Sequence, residues 1–318
     1  MALSGPPVEP VKKMPATVAI VVTHDGQKHL ARCLPDLLAQ SLPFAAVLVV
    51  DNGSADGTPA WLGEQFPAIE LLRLDVNRGF SGGVNHGLRR VLRENRYDYV
   101  ALINNDVALE PGWHAKARRA LLADPRLGSC ATCLLRADQP ELVDSAGITW
   151  IGPGRADNYL SGRTAPPPDE PPRELFGACA AAALYRTELF ARVGMFDELL
   201  FAYQEDVDLS LRARAAGWRC VFAPAARGLH TGHGSNRPFP AGGTWADYYN
   251  ARNRLAVLVA SLPAAEWREH WRTILATEAQ TLLAGFRERR AAAVLAGFSR
   301  GLLRMPGLLL RRCRVTQG

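Results

Sequence analysis

Short apolar runs alternate with amphipathic segments along the first 110 positions of the chain. Residues 17–22 and 46–50 are apolar at nearly every position, and leucines recur at helical spacing between them. Such runs are typical of parallel strands buried on both faces, and two of them joined by a helix form a βαβ unit. Further elements follow in alternation: a helix with Thr58 as N-cap, a strand at 69–74, a helix at 84–92 and a strand at 97–103. The pattern predicts an α/β fold with a doubly wound, mostly parallel sheet.

The pattern changes after residue 135. Residues 136–175 show no readable periodicity, and their proline-rich part, 165–172, cannot form a helix or a central strand, so we expect a surface loop. Regular structure resumes at 176–184, with helices predicted from Thr187 and over 205–216, and helical periodicity dominates from Tyr248 onward. The predicted organisation has three parts: an N-terminal tail 1–15, an α/β domain 16–240 and a helical extension 241–318.

Composition places the chain among ordinary globular proteins, with 48% hydrophobic and 21% charged residues in 318. It contains no apolar run long enough to span a bilayer and no secretory signal, so we expect a cytoplasmic location. Its six cysteines lie in apolar surroundings. The pair Cys130 and Cys133 has neither a second CxxC nor a histidine partner, so we interpret the cysteines as buried free thiols.

Positive charge is concentrated at the C-terminal end. Residues 285–318 hold eight arginines and one glutamate, a net +7, while the whole chain is +6. An apolar stripe at helical spacing runs among these arginines: Ala291, Leu295, Phe298, Leu302 and Met305. A basic amphipathic helix of this kind either contacts an anionic membrane surface or packs on the main domain, and the sequence leaves both open. The segment has little aromatic interleaving and no nucleic-acid-binding motif, so no nucleic-acid partner is expected.

Polar segments follow the ends of four predicted strands, at 22–25, 50–54, 77–85 and 104–106. Ligands of open α/β sheets bind beyond the carboxyl ends of the strands, where these segments would converge. The chain has neither GxGxxG nor GxxxxGK[ST], so it lacks the usual phosphate-binding loops. Mg²⁺ or Mn²⁺ held by a strand-end carboxylate could neutralise a diphosphate instead. Asp106 is placed for this, although it could also merely cap the turn before Pro111.

Three carboxylates stand within four positions at the start of a predicted helix: Glu205, Asp206 and Asp208. Their mutual repulsion is costly, and the helix dipole compensates for only part of it, so catalysis is one reading and N-terminal capping is the other. Asp208 could pair with Arg212 one turn later.

Five segments in this order carry a resemblance to a known family: VVTHDG, VLVVDNGSADGT, NRGFSGGVNHG, LINNDV and FAYQEDVDLSLRARAAGW. Over about residues 17–255 the chain resembles the family 2 glycosyltransferases with a GT-A fold, and within them the rhamnosyltransferase-like branch. The resemblance implies that Asp206 is the catalytic base, that Glu205 contacts acceptor hydroxyls, and that Asp106 and His230 bind the metal, with His233 as a further candidate. It implies a nucleotide-sugar site made by Thr23, Asp25, Asp51, Asn77, Arg78, Gly82, Asn104, Asn105 and Arg252, where Asp51 contacts the base. Asn104 stands where the family's DxD motif has its first carboxylate.

The implied activity is inverting transfer of a sugar from a nucleotide-diphosphate donor to a hydroxyl of a glycan or a lipid-linked acceptor. It would depend on Mg²⁺ or Mn²⁺ and serve cell-envelope polysaccharide synthesis. The branch favours dTDP-L-rhamnose as donor, and membrane docking would put the protein at the inner face of the cell membrane. The alternatives are a UDP-hexose transferase and a non-catalytic, membrane-associated nucleotide-sugar-binding protein. A nucleotidyltransferase is disfavoured because VTHDGQKHL supplies no glycine-rich phosphate loop after the first strand.

Overall fold

A computed structural model describes residues 15–232, 237–240 and 242–304, so the candidate ligand His233 and the stripe residue Met305 lie outside the described residues. The strands are β1 Thr17–Thr23, β2 Ala46–Asn52, β3 Glu70–Leu74, β4 Tyr99–Asn104, β5 Val107–Leu109, β6 Leu127–Arg136, β7 Val143–Ser145, β8 Ile148–Gly152, β9 Arg155–Asn158, β10 Arg173–Leu175, β11 Ala182–Arg186 and β12 Arg219–His230. The helices are α1 Gln27–Leu38, α2 Thr58–Gln65, α3 Gly79–Glu94, α4 Trp113–Leu122, α5 Thr187–Val193, α6 Glu205–Ala215, α7 Trp245–Ser261, α8 Ala264–Arg287 and α9 Ala291–Leu302, with a 3-10 turn at Glu198–Leu200.

The central sheet has the strand order β10-β12-β6-β11-β4-β1-β2-β3. Its β4-β1-β2-β3 half is entirely parallel, which confirms the predicted βαβ units. Thr23 pairs with Asp51, and Val22 pairs with Asn104, so three of the predicted polar segments end at one edge. The other half is mixed, because β11 runs antiparallel between β4 and β6.

Apolar cores cover both faces of the sheet, which explains why its strands are apolar at nearly every position. Val18 and Ile20 of β1 belong to one core, and Ala19 and Val21 belong to the other. The CxxC cysteines follow the same alternation and point to opposite faces. All the cysteines of the described chain are free, and most of them are buried, as predicted.

Several element boundaries differ from the prediction. Helix α3 begins at Gly79 rather than at residue 84, because its glycines let it approach β1 and β2 closely; a Cβ on Gly83 would lie 2.6 Å from Val22 Cγ1. Thr58 is the first residue of α2, and the N-cap is Gly57, whose φ of +82° suits glycine. The region 136–175 contains the end of β6 and strands β7 to β10, although its proline-rich part is a loop as expected.

The C-terminal helices pack on the main domain. Val207 of α6 shares an apolar cluster with Val257 of α7 and Ile274 of α8. Helix α9 lies against α7 through small residues, since a Cβ on Gly301 would lie 2.7 Å from the carbonyl oxygen of Arg252. The predicted α9 stripe is only partly used, because Leu295 and Leu302 remain 41% and 46% exposed. Within the described ranges, no helix is long and apolar enough to cross a membrane.

Candidate active site

The ends of β1 and β2 form the floor of a polar site. Thr23 is buried at the end of β1, and its Oγ1 accepts a hydrogen bond from Asn105 Nδ2 at 2.9 Å. Asp51 is 1% exposed, and its Oδ1 accepts a bond from the backbone N–H of Ser54. The other oxygen, Oδ2, has no hydrogen-bond partner among the described residues. The exposed Arg73 pairs with this oxygen only at 3.9 Å, which is too long for a hydrogen bond, so a ring N–H of a nucleotide base could donate to it.

Asp25 connects the loops that follow these two strands. Its Oδ1 accepts a bond from Ala55 N at 2.8 Å, and its own N–H donates to Ser54 Oγ at 2.9 Å. Its φ of +50° turns the chain sharply into α1. Asp25 therefore fixes the shape of the site beside Asp51.

The N-terminus of α3 closes the next side of the site. Asn52, at the end of β2, accepts a bond from Arg78 N and donates to the carbonyl oxygen of Gly79, each at 2.9 Å. Asn77 Oδ1 accepts a bond from Gly79 N at 2.8 Å. Gly82 leaves room for Arg78, whose Cβ would lie 2.6 Å from a Cβ at position 82. The exposed Arg78 thus stands at a helix N-terminus, where both the guanidinium and the helix dipole favour an anion.

The segment Asn104-Asn105-Asp106 lies where β4 meets β12. Strand β5 pairs with the end of β12, which brings Asp106 beside His230. The His230 Nε2 to Asp106 Oδ1 distance is 3.2 Å, although the two residues are far apart in the sequence. Asn104 N donates to the carbonyl oxygen of Ala181, so this strand end also contacts the chain that leads into β11. The structure therefore brings together the two residues predicted to bind metal.

Asp144 is a site residue that sequence reasoning missed. Its Oδ2 lies 2.7 Å from His230 Nδ1, so the imidazole is held between two carboxylates. Burial lowers the pKa of His230, but the hydrogen bonds to Asp106 and Asp144 outweigh burial and raise it to about 9. A histidine that binds a metal through one ring nitrogen commonly donates the other N–H to a carboxylate, and Asp144 provides that acceptor. The sequence offered only one sign of this role, namely that Asp144 is a carboxylate within residues 136–175, the segment without readable periodicity.

The donor set suits a divalent ion that a ligand also coordinates. Two neighbouring ligands of an octahedral Mg²⁺ or Mn²⁺ lie about 3 Å apart, and the Asp106–His230 spacing matches this. In the part of the chain that the structure describes, no group of three or more His, Cys, Asp or Glu could hold a metal. Mg²⁺ usually keeps several waters and binds substrate phosphates with one or two carboxylates, so diphosphate oxygens would complete the site.

The acidic start of α6 faces the same edge. Glu205 is 9% exposed, and burial together with the charge of Asp206 raises its pKa. Burial also raises the pKa of Asp206, which hydrogen-bonds to the backbone of Val207 and Ala180 and to the Cys179 side chain. Because Ala181 carries the hydrogen bond from Asn104, the Asp206 carboxyl lies near the end of β4. Two carboxyls with raised pKa values at a ligand edge favour proton transfer over simple capping.

Asp208 has a structural role. Its Oδ2 accepts two hydrogen bonds from Arg212, at 2.9 Å and 2.6 Å, as the spacing predicted. Arg212 also donates to the carbonyl oxygens of Val193 and Met195, so the pair fixes α6 to the end of α5.

Arg252 and Asn253 hold the chain that leads into α6. Arg252 is 6% exposed and donates to Asn253 Oδ1 and to the carbonyl oxygens of Leu199 and Leu200. Asn253 Nδ2 lies 2.8 Å from three carbonyl oxygens, those of Leu200, Ala202 and Tyr203. These hydrogen bonds hold the Arg252 guanidinium at the chain before α6 and not at the strand edge. Its contact with phosphate remains a prediction, and this geometry does not favour it.

Comparison with known proteins agrees with this arrangement. The family model described as glycosyl transferase family 2 matches residues 18–194, more than half of the chain, and glycosyl transferase family group 2 matches residues 173–313. Rhamnosyltransferase WbbL of Escherichia coli is 44% identical over 234 residues, covering 69% of this chain and 85% of its own. N-acetylglucosaminyl-diphospho-decaprenol L-rhamnosyltransferase of Mycobacterium tuberculosis is 33% identical over 233 residues, covering 66% and 74%.

Solved structures share the fold at low sequence identity. GalNAc-T7 with UDP, GalNAc and Mn²⁺ has a TM-score of 0.63 at 13% identity and covers 87% of this chain and 55% of its own. Mannosyltransferase PcManGT of Pyrobaculum calidifontis, in complex with GDP-Man and Mn²⁺, has a TM-score of 0.55 at 21% identity, with coverage of 96% and 82%. The fold and its strand-edge site define a glycosyltransferase of the GT-A class, as predicted. The chain belongs to glycosyl transferase family 2.

Proposed function

We propose that the protein is an inverting rhamnosyltransferase that moves L-rhamnose from dTDP-L-rhamnose to a hydroxyl of a glycan or lipid-linked acceptor in cell-envelope polysaccharide synthesis. The observation that carries the proposal is the convergence of an Asp51 oxygen without a hydrogen-bond partner in the described chain, the Asp106–His230 pair and the Asp206 carboxyl at one edge of the sheet. Two relatives named as rhamnosyltransferases favour rhamnose over a hexose.

The proposed roles follow from the chemistry of each group. Asp51 Oδ2 accepts a hydrogen bond from the base, and Arg78 at the start of α3 binds diphosphate oxygens. Asp106 and His230 hold Mg²⁺ or Mn²⁺, which when bound neutralises charge on the departing diphosphate. Asp144 orients His230 for that contact.

Asp206 acts as the general base. Its carboxylate takes the proton of the acceptor hydroxyl while the acceptor oxygen forms a bond to the anomeric carbon. The bond from that carbon to the diphosphate oxygen breaks on the opposite face, so the configuration inverts and the nucleoside diphosphate leaves with the electron pair. Glu205, whose pKa is raised further, stays protonated near neutral pH and can donate a hydrogen bond to an acceptor hydroxyl.

Two measurements test this function. Calorimetric titration of dTDP, UDP and GDP, with and without Mn²⁺, should give metal-dependent binding of dTDP. Binding of UDP alone would favour a hexosyl donor, and no binding would favour the non-catalytic alternative. The variant Asp206→Asn should lose turnover by a factor of about 10² to 10⁴ while it still binds dTDP. The control Asp157→Asn changes an exposed carboxyl of the β8-β9 hairpin and should behave like the wild type.

A lipid-linked acceptor would be reached at the inner face of the cell membrane through the C-terminal helices. Trp271, Leu275 and Phe286 of α8 are 46%, 48% and 59% exposed, and the predicted α9 stripe adds Leu295 and Leu302. Arg287 lies in the last turn of α8 and Arg300 in the last turn of α9, so these helices combine exposed apolar side chains with positive charge, which suits anionic lipid. The protein should sediment with phosphatidylglycerol vesicles and not with phosphatidylcholine vesicles, and Phe286→Ser should weaken the binding. Equal binding to both kinds of vesicle would contradict electrostatic docking.

A further inference from the structure

The chain just before the catalytic helix has an unusual backbone. Phe201, Tyr203 and Gln204 have φ values of +64°, +67° and +70°. Bulky side chains rarely adopt this left-handed conformation, which costs energy at every residue other than glycine. The Asn253 amide and the Arg252 guanidinium hold this segment by its carbonyl oxygens. The fold therefore maintains a strained conformation at the entrance to α6.

The strained conformation places two rings against the start of α7. Phe201 stacks on Tyr249 with ring centroids 5.4 Å apart, and Tyr203 is nearly parallel to Tyr249 at 6.3 Å. Trp245 lies 5.9 Å from Tyr249. We name Phe201, Tyr203, Trp245 and Tyr249 the aromatic shelf. None of the four is buried, and Trp245 is 37% exposed, so the strain is not offset by forming a dry core.

The aromatic shelf joins the donor side of the site to the catalytic carboxyls. At one end, the carbonyl oxygen of Phe201 accepts a hydrogen bond from Ser81 N at 3.1 Å, and Phe201 packs on Gly79 beside Arg78. At the other end, Gln204 directly precedes Glu205. The shelf extends from Phe201, which contacts Gly79, to Trp245 at the beginning of α7.

Amide groups complete the chemistry next to the rings. Gln204 Nε2 donates to Asn250 Oδ1 at 2.9 Å, a bond that does not use Gln204 Oε1 or Asn250 Nδ2. Both residues are partly exposed. Partly exposed aromatic side chains beside amide groups suit a pyranose, because its C–H face packs on a ring while its hydroxyls bond to amides.

We propose that the aromatic shelf is the acceptor subsite and binds a pyranose ring whose hydroxyl is presented to Asp206. The inference rests on the proposed function and adds to it the class of group recognised on the acceptor side. The strained backbone is then maintained because it aligns the shelf with the catalytic helix. Donor anchoring stays at the strand edge, so shelf variants alter acceptor use and leave donor use intact.

The test compares Trp245→Ala and Asn250→Ala with Leu122→Ala, which removes an exposed apolar side chain from α4, outside the aromatic shelf and the C-terminal helices. The probes are octyl N-acetyl-β-glucosaminide and octyl β-glucoside as acceptors and dTDP-L-rhamnose as donor. Trp245→Ala should raise the acceptor KM about tenfold, and Trp245→Phe should restore most of the loss. Donor KM and the slow hydrolysis of donor without acceptor should not change in any of these variants. Saturation-transfer NMR should show magnetisation passing from aromatic protons to the pyranose C–H protons of the probes.

The outcomes separate this inference from the proposed function. An unchanged acceptor KM in both shelf variants, or no saturation transfer to either probe in the wild type, overturns the shelf. A parallel rise in donor KM overturns it too, because the rings would then contact the donor sugar. If the wild type neither binds dTDP nor hydrolyses the donor, the proposed function itself fails. Circular dichroism of each variant shows that it is folded, and Asn250→Ala tests the shelf should Trp245→Ala be unstable.

Discussion

Replacing Glu205 with glutamine should remove much of the pH dependence of the protein's stability. The Glu205 carboxyl is buried, and its Oε2 has no hydrogen-bond partner among the residues that the structure describes. Burial and the charge of Asp206 raise its pKa from 4.5 to about 8. In the unfolded chain both causes are absent. Between pH 4.5 and about pH 8, the folded protein therefore holds a proton on Glu205 that the unfolded chain has released.

Because the folded state binds more protons in this window, the free energy of unfolding falls as the pH rises. One proton corresponds to about 1.4 kcal/mol per pH unit, so Glu205 accounts for a loss of roughly 3 kcal/mol between about pH 5.5 and about pH 7.5. The loss is absent below about pH 4.5, where both states are protonated. At pH 7 most of the stability that depends on this proton has already been lost.

Urea unfolding at the two pH values measures the effect in the wild type, Glu205→Gln and Glu269→Gln, a control at an exposed carboxyl. Because Glu205 and Asp206 act on each other's pKa, the difference between proteins reports the titration of this carboxyl pair, whereas groups away from the pair, including His230, titrate equally in all three proteins. The wild type and the control should lose the same stability, and Glu205→Gln should lose less by up to roughly 3 kcal/mol. An equal loss in all three would mean that Glu205 is already ionised at the lower pH. Glu205 could then not act as the protonated hydrogen-bond donor beside Asp206.

Further predictions concern the metal pair and the tight turn at α3. Asp106→Asn and His230→Ala should each weaken Mn²⁺ binding to the dTDP-loaded protein at least tenfold, measured by the electron paramagnetic resonance signal of free Mn²⁺, and unchanged affinity would exclude the pair as ligands. Asp144→Asn should weaken the same binding by a factor of about 10 or more with an unchanged circular dichroism spectrum. Gly79→Ala should destabilise the protein by more than about 2 kcal/mol, because φ is +70° and the new Cβ would meet the Phe201 carbonyl. The control Gly63→Ala, in open space within α2, should stabilise it by up to about 1 kcal/mol in urea unfolding.

The strand-edge part of the site could be predicted because local pattern and topology act together there. Parallel strands put their carboxyl ends on one edge, so Thr23, Asp51 and Asn104 converge wherever the apolar runs are strands. The start of α3 could not be read in the same way. Glycine disfavours helix in isolation, and only the close approach of Gly83 to Val22 explains why the helix begins at Gly79.

The hydrophobic and polar pattern of the sequence could not predict contacts between segments that are distant along the chain. Asp144 lies on a three-residue strand, too short for a periodicity, and it reaches His230 only because β7 and β12 both pair with β6. Arg252 lies in a motif that suggested phosphate, yet its surroundings are set by how α7 packs on the chain before α6. Such side chains acquire their partners from tertiary structure, which the spacing of residues along the chain does not encode.

The packing of α9 on α7 has a consequence for any attempt to shorten the protein. Helix α7 uses the side chains of Arg252 and Asn253 to hold the chain before α6, and its backbone at Tyr248 and Arg252 receives Gly297 and Gly301 of α9. A protein cut near residue 240 would therefore lose Arg252 and Asn253, which hold the chain that leads into the catalytic helix α6. A useful truncation or fusion point therefore has to come after α9.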